Sequence, residues 1–265
     1  MPHLAESRTA SRPAAVRAPN SVRMRWRDET LRALIDALDL REQETSGHSH
    51  RVATWTLLFA AFCRVPGRRH AAIYAGALLH DVGKIAIPDR VLLKRGRLDR
   101  REWQVMRTHP EAGRRLLQRT RSLRGAAAIP WCHHERFDGT GYPRRLAGRR
   151  IPLEARLFAI VDVYDALRCA RPYKRAWNHR TALDTVAAGS GSHFDPALVA
   201  AFARLPEALL QRVAPRSGAR LGYAQVRRAV ADAIRWLRRC RPQALLRGAA
   251  RSSRPRHPVR ARGRR

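Results

Sequence analysis

From Asp28 onward the apolar positions recur at helical rather than extended spacing. Leu31, Leu34, Ile35, Leu38 and Leu40 fall on one side of a helix, and Val52, Trp55, Leu58, Phe59 and Phe62 do the same in the next segment. A third segment, Arg69 to Leu79, is apolar around most of its circumference, which predicts a buried helix. Lys84 to Arg97 carries Pro88 and Gly96 without periodicity and reads as a loop or a set of turns, with Asp99 as N-cap of the helix after it. Further helices are expected at Pro110–Arg119, Ser122–His134, Pro152–Arg168, His179–Ala188 and Pro196–Leu205. Pro110 and Pro196 stand at first helical positions, where a missing N–H is no loss. No alternating run of strand length occurs, so the expected fold class is an all-α helical bundle.

The composition shifts twice. Residues 1–27 are rich in Arg, Ala, Ser and Pro and read as a disordered basic arm; 28–205 form the main domain; 206–265 are an Arg-rich C-terminal extension. In that extension Leu221, Val226, Val230, Ile234 and Leu237 define one amphipathic helix, and the tail beyond Arg247 is expected to be disordered. The formal net charge is +33, so the surface field favours anions, and nonspecific anion or nucleic-acid contact through the basic tails is expected. The four cysteines are scattered and form no CxxC pair, which argues against a zinc knuckle or a disulfide framework and for a reducing, cytoplasmic setting. No run reaches the roughly 20 apolar residues of a transmembrane segment.

The chemical signal lies in His, Asp and Glu. His80 and Asp81 adjoin the buried third segment, so an imidazole and a carboxylate leave one short stretch of chain together. Asp162 interrupts the apolar run Leu157–Val161, where a carboxylate is costly unless paired or bound to a cation. Glu44 and His48 have the i, i+4 spacing that shares a face wherever that segment is helical. His109 opens a helix, and His133 and His134 are adjacent. Each reads alone as an ordinary cap, surface acid or hydrogen-bonded histidine; together they form a mixed N/O donor set suited to iron, manganese or a similar ion.

In order, these residues resemble the HD-GYP branch of the HD-domain phosphohydrolases. The matching motifs are Glu44-Thr-Ser-Gly-His48 with Arg51-Val52, Leu79-His-Asp-Val-Gly-Lys84 running to Ile87-Pro88, His109-Pro110, His133-His-Glu-Arg-Phe-Asp-Gly-Thr-Gly-Tyr-Pro143, Asp162-Val-Tyr-Asp-Ala-Leu167, Arg171-Pro-Tyr-Lys174 and Phe194-Asp-Pro196. The resemblance implies two or three divalent metal ions, iron or manganese, held by Glu44, His48, His80, Asp81, His109, His133, His134 and Asp162, with an acid at the Glu44 position going with a third ion. It implies hydrolysis of cyclic di-GMP to linear pGpG, and in some members on to GMP. Arg171 and Lys174 match substrate-binding cations, and Gly141, Tyr142 and Pro143 shape the substrate pocket and a contact with diguanylate cyclase (GGDEF) partners.

General chemistry supplies the expected mechanism. Water between two cations loses a proton near neutral pH and attacks phosphorus. Asp81 is expected to bridge the ions, and Lys84 to place its ammonium by the phosphate or leaving oxygen. Asp165, Glu135 and Asp138 are candidates to orient ligand imidazoles. Two alternatives stay open: a catalytically weak cyclic di-GMP sensor or interaction module, and an HD phosphohydrolase acting on another nucleotide.

Overall fold

The computed structural model describes residues 29, 31, 33–38, 47–170, 175–214 and 221–240. Helical residues 33–38 form α1, followed by α2 (His48–Phe62), α3 (His70–Leu78), α4 (Asp89–Leu92), α5 (Arg100–Met106) and α6 (His109–Arg119). Then come α7 (Ala128–Cys132), α8 (Leu153–Arg168), α9 (His179–Ala188), α10 (Pro196–Phe202), α11 (Glu207–Val213) and α12 (Tyr223–Cys240). Among the described residues there is no strand, only the isolated bridges Asp138–Ala147 and Ser190–Phe194.

The core forms around α2, which lies against α3, α8, α11 and α12. Its run Val52–Ala60 is buried throughout, because this helix is enclosed on every side. Trp55, Phe59, Tyr164 and Phe202 meet edge to face, with centroids 5.0–5.7 Å apart, as ring quadrupoles favour. The hydrophobic core continues past Leu205. Leu209, Leu210 and Val213 of α11 and Val226, Val230, Ala233 and Leu237 of α12 belong to it. Trp55 Nε1 donates to the Leu210 carbonyl at 3.0 Å, and the Tyr74 hydroxyl to that of Leu221 at 3.0 Å. α12 keeps its apolar stripe inward and leaves Arg227, Arg228, Arg235, Arg238 and Arg239 exposed.

Local chemistry explains the boundaries. Asp99 caps α5 with a reciprocal capping box to Glu102, as its sequence position predicts. Asp195 caps α10 through the Ala197 N–H and also holds Arg156 of α8 at 2.5 Å, so the Phe194-Asp-Pro196 motif joins α10 to the central helix. One expectation needs correction. The segment Ser122–His134 is not one helix: a 3-10 turn at Arg124–Ala126 precedes the short α7. The stretch between Lys84 and Arg97, expected as a loop or a set of turns, contains the end of a 3-10 turn, Val82–Ala86, and the single turn α4.

Candidate metal centre

Seven ligand-type side chains arrive from five places. His48 is the first residue of α2, His80 and Asp81 follow the end of α3, and His109 opens α6. His133 and His134 follow α7, and Asp162 sits within α8. Their donor atoms converge into two groups: Asp81, His109, His133 and His134 in one, and His48, His80 and Asp162 in the other, each within 4.8 Å. Of the eight metal candidates only Glu44 is missing from these groups, because it lies outside the described residues, as do Arg171 and Lys174. The i, i+4 reading of Glu44 and His48 involves a segment outside the described residues; α2 itself begins at His48 with Gly47 as its N-cap.

Gly83 draws these elements together. A Cβ there would lie 1.9 Å from the His109 carbonyl oxygen, so only glycine lets the turn after Asp81 lie on the start of α6. Asp81 then spans both groups. Its Oδ2 lies 3.1 Å from His80 Nε2 and 2.9 Å from Lys84 Nζ, and its Oδ1 lies 3.3 Å from His109 Nε2 and 3.5 Å from His133 Nε2.

Three imidazoles are oriented by one device. His80 Nδ1 contacts the Ala77 carbonyl at 2.9 Å, His109 Nδ1 that of Met106 at 2.8 Å, and His133 Nδ1 that of Pro130 at 3.0 Å. Each partner lies three residues back, where helix ends leave carbonyls without an intrahelical donor. A carbonyl only accepts, so each Nδ1 carries the proton and each Nε2 turns toward the centre. His48 is held differently. Its Nδ1 contacts Asp165 at 2.7 Å, and Arg51 Nε and Nη2 grip the same carboxylate at 2.7 and 2.9 Å.

The electrostatics of the Asp81, His109, His133 and His134 group favour a cation. His109 Nε2 and His133 Nε2 face each other at 3.2 Å, while Asp81 Oδ1 is buried without a hydrogen-bond partner. With both Nδ1 atoms turned to backbone carbonyls, these three atoms close around one space as a potential donor set. Burial pushes the His133 and His134 imidazoles down, so they stay neutral with lone pairs available. Burial would raise Asp81, but His80 and Lys84 hold it well below the usual carboxylate range. Asp162 is likewise lowered against burial, by His48 and His80. The residues present therefore fit divalent ions bound by N and O donors.

The Asp138–Pro143 loop packs beside this centre. A Cβ on Gly141 would lie 2.3 Å from the Arg136 nitrogen, so the residue is needed for close approach, whereas Gly139 takes a φ of 83°. Tyr142 stacks on His134 at 4.6 Å and 21°, and its peptide bond to Pro143 is cis. Glu135 and Asp138 do not orient imidazoles. Buried Glu135 accepts the N–H groups of Arg144 and Leu146 at 2.8 and 2.9 Å and so ties the loop down, and Asp138 accepts from Thr140 within it. The sequence reading gave Glu135 the wrong partner and missed Arg51 as an orienting residue; its place three residues after His48 on α2 was the available signal.

Residues 32–198 match the HD domain as a protein family. The chain belongs to the HD-domain family. Its HD pair is His80-Asp81. The chain is 45% identical over 187 residues to the "Cyclic di-GMP phosphodiesterase response regulator RpfG" of Xanthomonas campestris, covering 70% of this chain and 49% of that protein. It is 40% identical over 196 residues to a "Cyclic di-GMP phosphodiesterase" of Vibrio cholerae, covering 68% and 40%. A "3'3'-cGAMP-specific phosphodiesterase 2" of the same organism is 41% identical over 168 residues, covering 63% and 32%. The chain thus spans half or less of the length of these relatives. A solved cyclic GMP-AMP specific phosphodiesterase of V. cholerae aligns with a TM-score of 0.52 at 18% identity, covering 81% of this chain and 60% of that one, which supports the HD-domain helical fold.

Proposed function

We propose that this HD domain is a metal-dependent phosphodiesterase that hydrolyses cyclic di-GMP to linear pGpG. The observation that carries the reading is Asp81, whose two oxygens face two separate His/Asp pockets, the arrangement a two-ion phosphodiesterase requires. The donor set suits iron or manganese. Ions bound there would supply Lewis acidity to a phosphoryl oxygen and lower the pKa of water beside it.

The chain's own residues do the positioning. His109, His133 and His134 hold one pocket and His48, His80 and Asp162 the other, with Asp81 common to both. Arg51 and Asp165 fix the His48 ring. Lys84, 2.9 Å from Asp81 Oδ2, brings an ammonium to the edge of the site, where it stabilises charge on the phosphate or the departing 3′ oxygen. Tyr142 fixes the His134 ring and, with Glu135 anchoring its loop, forms one wall of the substrate pocket.

The Vibrio relative named for 3'3'-cGAMP favours a second substrate with the same ring and one adenine. The deciding experiment incubates anaerobically prepared, manganese- or iron-loaded protein with each cyclic dinucleotide and identifies products chromatographically. Linear pGpG from the wild type, and none from the His80→Ala, Asp81→Ala double variant, is the expected result. Turnover in the double variant refutes the reading.

A further inference from the structure

A column of side chains leads from the metal centre to the surface. Tyr142, stacked on His134, carries the Arg107 guanidinium 5.2 Å from its ring centroid, and the same guanidinium lies 5.8 Å from the Trp103 centroid. Trp103 lies in α5 and Arg107 directly follows that helix, four residues apart and so on one face.

Two members of this column are open to solvent. Trp103 is 45% exposed, an uncommon setting for an indole with a whole face to bury. Arg107 is exposed as well, and among the described residues its side chain contacts the two aromatic faces. A guanidinium resting against aromatic faces keeps its in-plane N–H donors free for a planar acceptor pair. Guanine presents such a pair at O6 and N7, while adenine replaces O6 with an amino donor. A solvent-facing indole beside it is the surface on which a purine stacks.

We infer that Trp103 and Arg107 form a guanine-reading platform at the mouth of the metal centre, Trp103 stacking one base of the cyclic dinucleotide and Arg107 donating to its O6/N7 edge. The inference rests on the cyclic-dinucleotide reading above. Tyr142 backs both Arg107 and His134, so one ring fixes base recognition relative to the phosphate being cleaved. Trp103 and Arg107 are thereby specificity-determining residues.

The test uses the full chain loaded with manganese and three substrates: cyclic di-GMP, cyclic di-AMP and bis(p-nitrophenyl) phosphate, a diester with no purine. Arg107→Ala is expected to raise KM for cyclic di-GMP about tenfold, with kcat within a factor of about two, and to cut the preference over cyclic di-AMP by about tenfold. Arg107→Lys should not restore the preference. Trp103→Ala should raise KM for both dinucleotides about tenfold, and Trp103→Phe should recover most of it. Calorimetric affinities for cyclic di-GMP should fall in parallel. An unchanged base preference in Arg107→Ala, or a loss matched on bis(p-nitrophenyl) phosphate, overturns the inference, the latter because Arg107 would then merely support Tyr142. Should the wild type cleave the small diester yet neither bind nor cleave purine cyclic dinucleotides, the function reading falls and takes the platform with it. Should it cleave them and the variants match it, only the platform falls.

Discussion

The two halves of the metal centre are built on different supports. On the His109 and His133 side the imidazoles hang from backbone carbonyls three residues back, and burial keeps His133 and His134 neutral. On the other side His80 keeps the same backbone support, but His48 is held by a side-chain network, Asp165 gripped by Arg51. There burial would push His48 down, but Asp162 and Asp165 together lift it to about 10. The first pocket depends on where the chain runs; the second depends in addition on the side chains that hold His48. The first is therefore sensitive to backbone displacement, and the second to the loss of a single charge.

The largest effect should come from disturbing the first support. Gly83→Ala sets a methyl group 1.9 Å from the His109 carbonyl, and because backbone cannot rotate away, a loss of about 4 kcal/mol or outright misfolding is expected. Urea denaturation with ion content measured in parallel checks this; a variant of wild-type stability that keeps its ions would show that the turn after Asp81 is not tightly packed on α6.

Next comes the second support. Asp165→Ala leaves the Arg51 guanidinium beside His48 without its buried partner, and breaking such a pair costs about 3 kcal/mol. Ion loss should be selective, about one equivalent per chain, since only the His48 pocket is touched. Loss of all bound metal would erase the distinction between the halves.

The smallest effect is a slope with pH in chelator-treated protein. His48 has a folded pKa of about 10 against an ordinary 6.5, so its protonated form is favoured by folding. That stabilisation is complete below about 6.5 and disappears as pH rises toward 10. Melting curves across this window should fall more steeply for wild type than for His48→Asn. Equal slopes would mean that His48 is neutral in the metal-free state.

The candidate site was legible where composition alone made a residue conspicuous. Asp162 stood out as a carboxylate in an apolar run, His80-Asp81 as a polar pair closing a buried helix, and all three converge. Asp165 was recognisable as an orienting group because it follows Asp162 by three residues on α8. What the sequence concealed were partners that are backbone. Glu135 bonds N–H groups nine and eleven residues onward, and the carbonyls that aim three imidazoles belong to Ala77, Met106 and Pro130, residues whose side chains announce nothing. Helix lengths failed for a related reason. Periodicity across Ser122–His134 is satisfied equally by one helix or by a 3-10 turn followed by α7, and packing of this segment against α3 and α6 decides between them.

The packing of α11 and α12 on α2 separates the extent of the chemistry from the extent of the folding unit. The signature residues end before Leu205, yet the back of the helix that begins with His48 is roofed by Leu210, Val226, Val230 and Leu237. The arginine-rich segment is thus half surface and half keel. Grafting a different tail onto this scaffold would be a change to its interior, felt by His48 at the far end of the same rod.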